Sequence, residues 1–191
     1  MRKLIQIIFI MLAPLLSSCT SELESDNSAT KLDDYEVLKT KDEVTEGDFI
    51  YRLVTEKAEF LDNESVRIYA ELEYIGDNEE ITIYHAASPF YFPMVEKTRD
   101  FSIGYPMNEP LLSTKLIKGK PLREEYKRSG GYSSQDEKEY VNFMKSFLDN
   151  GFPTGYYVVN GFADFYVQSN ENGNKEKYNI KAQIDFKVKI N

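Results

Sequence analysis

Tyr178-Asn179-Ile180-Lys181-Ala182-Gln183-Ile184-Asp185-Phe186-Lys187-Val188-Lys189-Ile190 decides how this chain folds, because apolar residues hold every even position and polar or charged residues every odd one. Successive side chains of a strand point to opposite faces. A period of two over this length therefore predicts a long strand with one face in a core and the other in water. Val66, Ile68, Ala70, Leu72 and Tyr74 alternate in the same way with Arg67, Tyr69, Glu71 and Glu73. Gly76-Asp77-Asn78 then turns the chain into Glu80 to His85, where Ile81, Ile83 and His85 share a face, so residues 65–85 read as a hairpin. Further strands are expected at Phe49 to Phe60, Thr114 to Ile117 and Gly155 to Gln168, the last returning through Asn170 to Asn174. Many one-sided strands joined by Gly and Asn turns, without alternating helices, predict a mainly β, antiparallel sandwich.

One helix is expected inside this pattern, over about residues 134–150. Tyr140, Val141, Phe143, Met144, Phe147 and Leu148 fall at helical spacing among largely polar neighbours. Ser134 and Glu137 match a capping box at its start, while Gly151 and Pro153 mark its end. Its apolar stripe should pack over an open end or edge of the sandwich.

The N-terminus has a different composition. Arg2 and Lys3 precede an apolar run from Leu4 to Leu16, followed by Ser17, Ser18 and Cys19. The run is shorter than the ~20 residues a membrane-spanning helix needs. Basic residues, an apolar core and small residues at a cut are the order of an export signal. Leu16-Ser17-Ser18-Cys19 resembles the lipobox of bacterial lipoproteins. The resemblance implies cleavage before Cys19, a diacylglycerol thioether on its sulfur and often a further acyl chain on its new amino group. Two chains suffice for stable anchoring, at roughly 0.8 kcal/mol per buried methylene. The resemblance also implies a place at the extracytoplasmic face of a cell membrane. Residues 1–18 are then the signal, residues 19–47 a lipidated N-terminus and flexible acidic tether whose Tyr35 to Leu38 cluster offers a short edge strand, and residues 48–191 the folded domain.

Cys19 is the only cysteine, so the chain has no intramolecular disulfide, and lipid on that sulfur would leave neither a thiol nucleophile nor a zinc thiolate. The formal charge is −9, and removal of Arg2 and Lys3 would leave 21 basic against 32 acidic residues. That balance argues against nucleic acid as a partner. One histidine excludes a two-histidine metal site, and His85 reads as a packed residue with satisfied nitrogens. The acidic and amide clusters at Asp77 to Glu80 and Asn170 to Asn174 lack the fixed ligand spacing of a calcium loop and read as turns. No metal and no cofactor is expected.

Pro153, Gly155, Tyr157 and Val159, each two residues after the last, resemble the tyrosine corner of immunoglobulin-like domains. That likeness implies an Ig-like sandwich in which the Tyr157 hydroxyl bonds back to upstream backbone. Proline and valine stand where such domains usually have an acidic residue and a cysteine, and there is no tryptophan to fill the core between the sheets. The layout is also similar to Ig-like bacterial proteinase inhibitors, from which no inhibitory residue carries over.

Residues 87–112 hold the candidate binding residues Phe90, Tyr91, Phe92, Phe101 and Tyr105 in what reads as a long connection. Exposed, these rings would stack on a glycan or engage an envelope protein; turned inward, they would close the end of the sandwich. The basic cluster of Lys118, Lys120, Arg123, Lys127 and Arg128, diluted by Glu124 and Glu125, reads as a solvated edge. The expected function is thus a membrane-anchored, non-enzymatic binding module. The alternatives are a protease inhibitor presenting a long loop and a hydrolase using a carboxylate pair.

Overall fold

A computed structural model describes residues 32–168 and 174–191. The signal, the lipobox, Cys19, the tether up to residue 31 and the Asn170 to Gly173 part of the last turn lie outside the described residues. Twelve strands and one helix are described: β1 (Lys41–Glu46), β2 (Phe49–Thr55), β3 (Glu59–Leu61), β4 (Ile68–Tyr74), β5 (Glu80–His85), β6 (Phe90–Tyr91), β7 (Met94–Glu96), β8 (Phe101–Ile103), β9 (Leu112–Ile117), β10 (Leu122–Glu125), α1 (Lys138–Asn150), β11 (Gly155–Gln168) and β12 (Lys175–Lys189). They form a β-sandwich, as the alternation predicts. One layer runs β1-β2-β4-β10 and the other β3-β12-β11-β5-β9. The strand pairs are antiparallel except for β3, which lies parallel to the end of β12.

Strands β11 and β12 form the spine, paired from Gly155↔Val188 to Gln168↔Lys175. Their inward residues include Tyr157, Val159, Ala163 and Phe165 from β11, with Ile180, Ile184 and Phe186 from β12. Phe49, Tyr51, Leu53, Ile68, Ala70 and Leu72 of the facing layer complete the core. Without tryptophan, ring contacts fill the space. Phe49 packs edge-on against Phe165 and Tyr178 at 4.9 Å, and Phe152 against Tyr157 at 5.1 Å and Phe186 at 5.4 Å. Each such pair adds about 0.5–1.5 kcal/mol beyond its buried area. The Tyr157 hydroxyl donates to the Pro153 carbonyl at 2.6 Å, which is tyrosine-corner geometry.

Residues 65–85 are not a hairpin. Strand β4 pairs with β2 and β10, whereas β5 pairs with β11 and β9, so the turn at residues 75–79 carries the chain from one layer to the other. Alternation shows which face of a strand is buried but not which sheet it joins.

Helix α1 begins at Lys138, later than expected. The Ser134–Glu137 capping box does not form: Glu137 occupies the N-cap without a side-chain cap bond, and Asp136 instead accepts from the Ser133 N–H at 2.6 Å. At the other end Gly151, at φ 113, closes its N–H on the Phe147 carbonyl at 3.2 Å. Arg128 donates to the Phe147 and Leu148 carbonyls, the groups a helix C-terminus leaves free. Phe143, Met144 and Phe147 are buried, Phe143 against Phe101 and Phe147 against Phe152. The stripe closes one end of the sandwich.

Part of the span assigned to the tether belongs to the folded unit. Strand β1 pairs with β2, and Leu32 is buried. Residues 35–39 form a strap across β11 and β12. Tyr35 stacks on Tyr156 at 4.6 Å and donates its hydroxyl to the Lys97 carbonyl at 2.8 Å. Asp185 accepts the Leu38 and Lys39 N–H groups and the Tyr156 hydroxyl, each at 2.7 Å. Composition hid β1 because it is nearly all polar, and the Tyr35 to Leu38 cluster is no edge strand but part of a strap held through backbone groups and one distant carboxylate. Among the described residues no helix is long and apolar enough to cross a membrane.

Candidate functional site

The structure separates the five sequence-stretch candidates. Strands β6, β7 and β8 place residues 90–103 inside the second layer, with β6 and β7 pairing along β11 beyond β5. Phe90 and Phe92 are buried in the core, Phe90 stacking with Tyr51. They cannot meet a ligand. Phe101 packs between Tyr140 and Phe143 of α1, and Tyr105 sits half-buried among Tyr91, Phe92 and Tyr126. Tyr91 alone of the five points outward, half-buried on the face of the sheet and stacked on Phe162.

His85 is buried, with Nδ1 2.9 Å from the Ala86 carbonyl and Nε2 2.8 Å from Thr114 Oγ1. A ring that donates through Nδ1 and accepts through Nε2 satisfies both partners. Glu96 is fully enclosed but committed to its own turn, where it accepts from the Thr98 N–H at 2.9 Å, the Arg99 N–H at 3.1 Å and Arg99 Nη1 at 3.3 Å. Arg123 lies 3.4 Å over the Tyr69 ring, so the basic cluster does not act as one patch. Among the described residues no three histidine, cysteine, aspartate or glutamate side chains gather as metal ligands.

The two outer faces of the sandwich differ. On the β1-β2-β4-β10 layer, Arg52 bonds Glu43 and Glu73, each at 2.6 Å, and Arg123 pairs with Glu71 at 3.6 Å. That face is occupied by ion pairs. On the other layer, cross-strand register assembles aromatic rows. Tyr166 of β11 stands opposite Tyr84 of β5, with ring centroids 5.0 Å apart and planes 12° from parallel. Phe162 stands opposite Tyr91 of β6, at 4.7 Å and 6°. Asp164 and Asn179 lie between these rows, and Asn160 and Gln183 beyond the second, with a 2.7 Å bond from Gln183 Nε2 to Asn160 Oδ1.

Two clefts flank the Tyr91–Phe162 pair. One, of about 350 Å³, is lined by residues including Tyr84, Tyr91, Glu109, Asp164, Tyr166 and Lys177. The other, of about 480 Å³, is lined by residues including Asp42, Pro93, Asn160, Phe162, Lys181 and Gln183. Comparison with known protein families and with curated proteins finds no match.

Electrostatics in the clefts is mixed. Desolvation, then the charges of Asp164 and Glu109, raises the Tyr91 pKa and keeps its hydroxyl protonated. At Asp42 burial opposes the charge, but bonds from Lys39 at 2.8 Å and the Gln183 N–H at 2.9 Å outweigh it and lower the pKa. The face therefore offers ring surfaces, a neutral phenol, amides and carboxylates beside lysines. Sequence reading missed Phe162, Tyr166 and Tyr84. Their signal was in the strand Gly155 to Gln168, whose outward register carries Tyr156, Val158, Phe162 and Tyr166 where a solvated face would be polar throughout.

Proposed function

We propose that this protein is an exported bacterial lipoprotein, anchored through acyl chains on Cys19, whose sandwich is a non-enzymatic binding module working at the outer face of the β11 layer. The carrying observation is the pairing of Tyr84 with Tyr166 and Tyr91 with Phe162 on a solvent-facing sheet surface, while the opposite outer face is filled by ion pairs. The order Arg2-Lys3, apolar run and Leu16-Ser17-Ser18-Cys19 supports the anchor. Labelled palmitate should enter the wild-type chain and not Cys19→Ser, and only wild type should sediment with membranes. A Cys19→Ser protein that stays membrane-bound and acylated contradicts the anchor.

A hydrolase is the second reading, because Glu109 and Asp164 line the same cleft and a carboxylate pair is the machinery of glycoside hydrolysis. Reducing-end release from a polysaccharide by wild type, abolished in Asp164→Asn, would replace the non-enzymatic reading. For the inhibitor alternative, residues 90–103 of the 87–112 connection are threaded into the sheet, which leaves residues 104–111 as the segment it could present.

A further inference from the structure

We infer that the outer face of the β11 layer binds an extended, uncharged saccharide chain lying along β11 across the Tyr91–Phe162 pair. The inference rests on the proposed reading of this face as a binding surface, and names the ligand class. Outward residues Asn160, Phe162, Asp164 and Tyr166 follow one another at every second position of one uninterrupted strand. At about 3.3 Å per residue they span roughly 20 Å, enough for several linked sugar rings. Each pyranose has an apolar face of C–H groups and a rim of hydroxyls. It needs an aromatic wall beside amide or carboxylate partners.

Both clefts supply that combination. Phe162 and Pro93 stand with Asn160 and Gln183 in one, and Tyr84, Tyr91 and Tyr166 with Asp164 and Lys177 in the other. Asn160 and Gln183 hold each other at 2.7 Å, which fixes amide groups whose remaining donors and acceptors can serve hydroxyls. The rings are held by cross-strand stacking, so little side-chain freedom is lost on binding. Lys175, 4.4 Å over Tyr166, already covers a face of that ring, so the Tyr91–Phe162 pair is the stacking wall. Charge decides against a polyanion. Carboxylates line both clefts beside the lysines, Glu109 and Asp164 with Lys177 and Asp42 with Lys181, and the chain as a whole carries −9. A flat apolar protein partner fits less well, because carboxylates and amides interrupt the rings at every second position.

The test is affinity electrophoresis of the detergent-solubilised full chain in gels containing xylan, galactomannan, hydroxyethylcellulose or pullulan, with polygalacturonate as the anionic comparison. Retardation by at least one uncharged polysaccharide is expected. It should weaken at least tenfold in Phe162→Ala and in Asn160→Ala, with both variants melting as wild type does. Asn160→Ala keeps the test usable if Phe162→Ala fails to fold. No retardation by any uncharged polymer, retardation by polygalacturonate alone, or retardation unchanged in the folded variants overturns the inference. A protein ligand held by wild type and lost in folded Phe162→Ala also overturns it, while leaving the binding face itself in place. A face that holds neither polysaccharide nor protein overturns both.

Discussion

Gly161→Ala is the sharpest probe of the packing that supports the aromatic face, because Gly161 lies on β11 directly behind Phe162, with its inner side against the other layer. A Cβ at this position would meet Leu53 Cδ2 and Tyr51 Oη at 2.8 Å each and Leu53 Cδ1 at 3.0 Å. Carbon contacts are most favourable at about 3.5–4.0 Å, so two side chains must withdraw by the better part of an ångström. Neither has room, since Tyr51 and Leu53 are both 0% exposed. Overpacking of this kind costs roughly 1–3 kcal/mol, and the entropy alanine removes from the unfolded chain returns about 0.4–1 kcal/mol. The net expectation is a loss of about 1–2 kcal/mol, or a fall in Tm of roughly 2–8 °C for a domain this size.

Tyr51 Oη has no hydrogen-bond partner among the described residues, so Tyr51→Phe should be neutral or stabilising by up to ~1 kcal/mol. In the double variant one of the two closest contacts disappears. Its cost should fall below the sum of the singles by about 0.5 kcal/mol or more. Urea unfolding of the four proteins, followed by far-UV circular dichroism, measures the cycle. A Gly161→Ala protein as stable as wild type, or strict additivity in the double variant, would refute the packing argument.

Tyr157→Phe removes the bond to the part-buried Pro153 carbonyl, and should cost about 1 kcal/mol in the same urea assay; an unchanged midpoint would deny the corner a structural role. In Asp185→Ala the strap loses its fork, so the Leu38 and Lys39 amides should exchange at least tenfold faster while amides in the middle of β11 keep their protection; uniform loss of protection would show that the strap is part of the global fold. Burial first, then the bond and charge of Glu176, push Tyr178 up to about 12 against an ordinary 10. A group raised in the folded state contributes stability that is intact below pH 10 and lost as pH climbs toward 12. Stability should therefore decline over that window in wild type and less steeply in Tyr178→Phe, as read by denaturant midpoints; identical slopes would contradict the shift.

Strands whose two faces differ in polarity were legible. The alternation of residues 178–190 and the glycine-bounded run from 155 to 168 are β12 and β11, and the stripe from Tyr140 to Leu148 is the buried face of α1. What stayed hidden depends on partners distant in sequence. Whether β4 pairs with β5 is set by which layer each joins, and no local period encodes that. Strand β1 carries Lys41, Asp42, Glu43, Thr45 and Glu46, so only its ladder with β2 makes it a strand. The aromatics of residues 87–112 drew attention as a run of rings, yet Phe90 and Phe92 face the core while Tyr91 faces out, an alternation that the intervening prolines and short strands obscured. The outward rings meet only through register, Tyr84 with Tyr166 from positions 82 apart.

The strap has a mechanical consequence. Any pull arriving from the N-terminal side meets Leu32, the Tyr35 ring and the Asp185 fork before it reaches the six-residue ladder of β1. Those few contacts can break singly, whereas β1 and β2 must part along a whole ladder. The strap is therefore a fuse in series with the sandwich. Its yielding would pay out residues 32–39, about 27 Å of chain at full extension, while the core and the aromatic face stay folded.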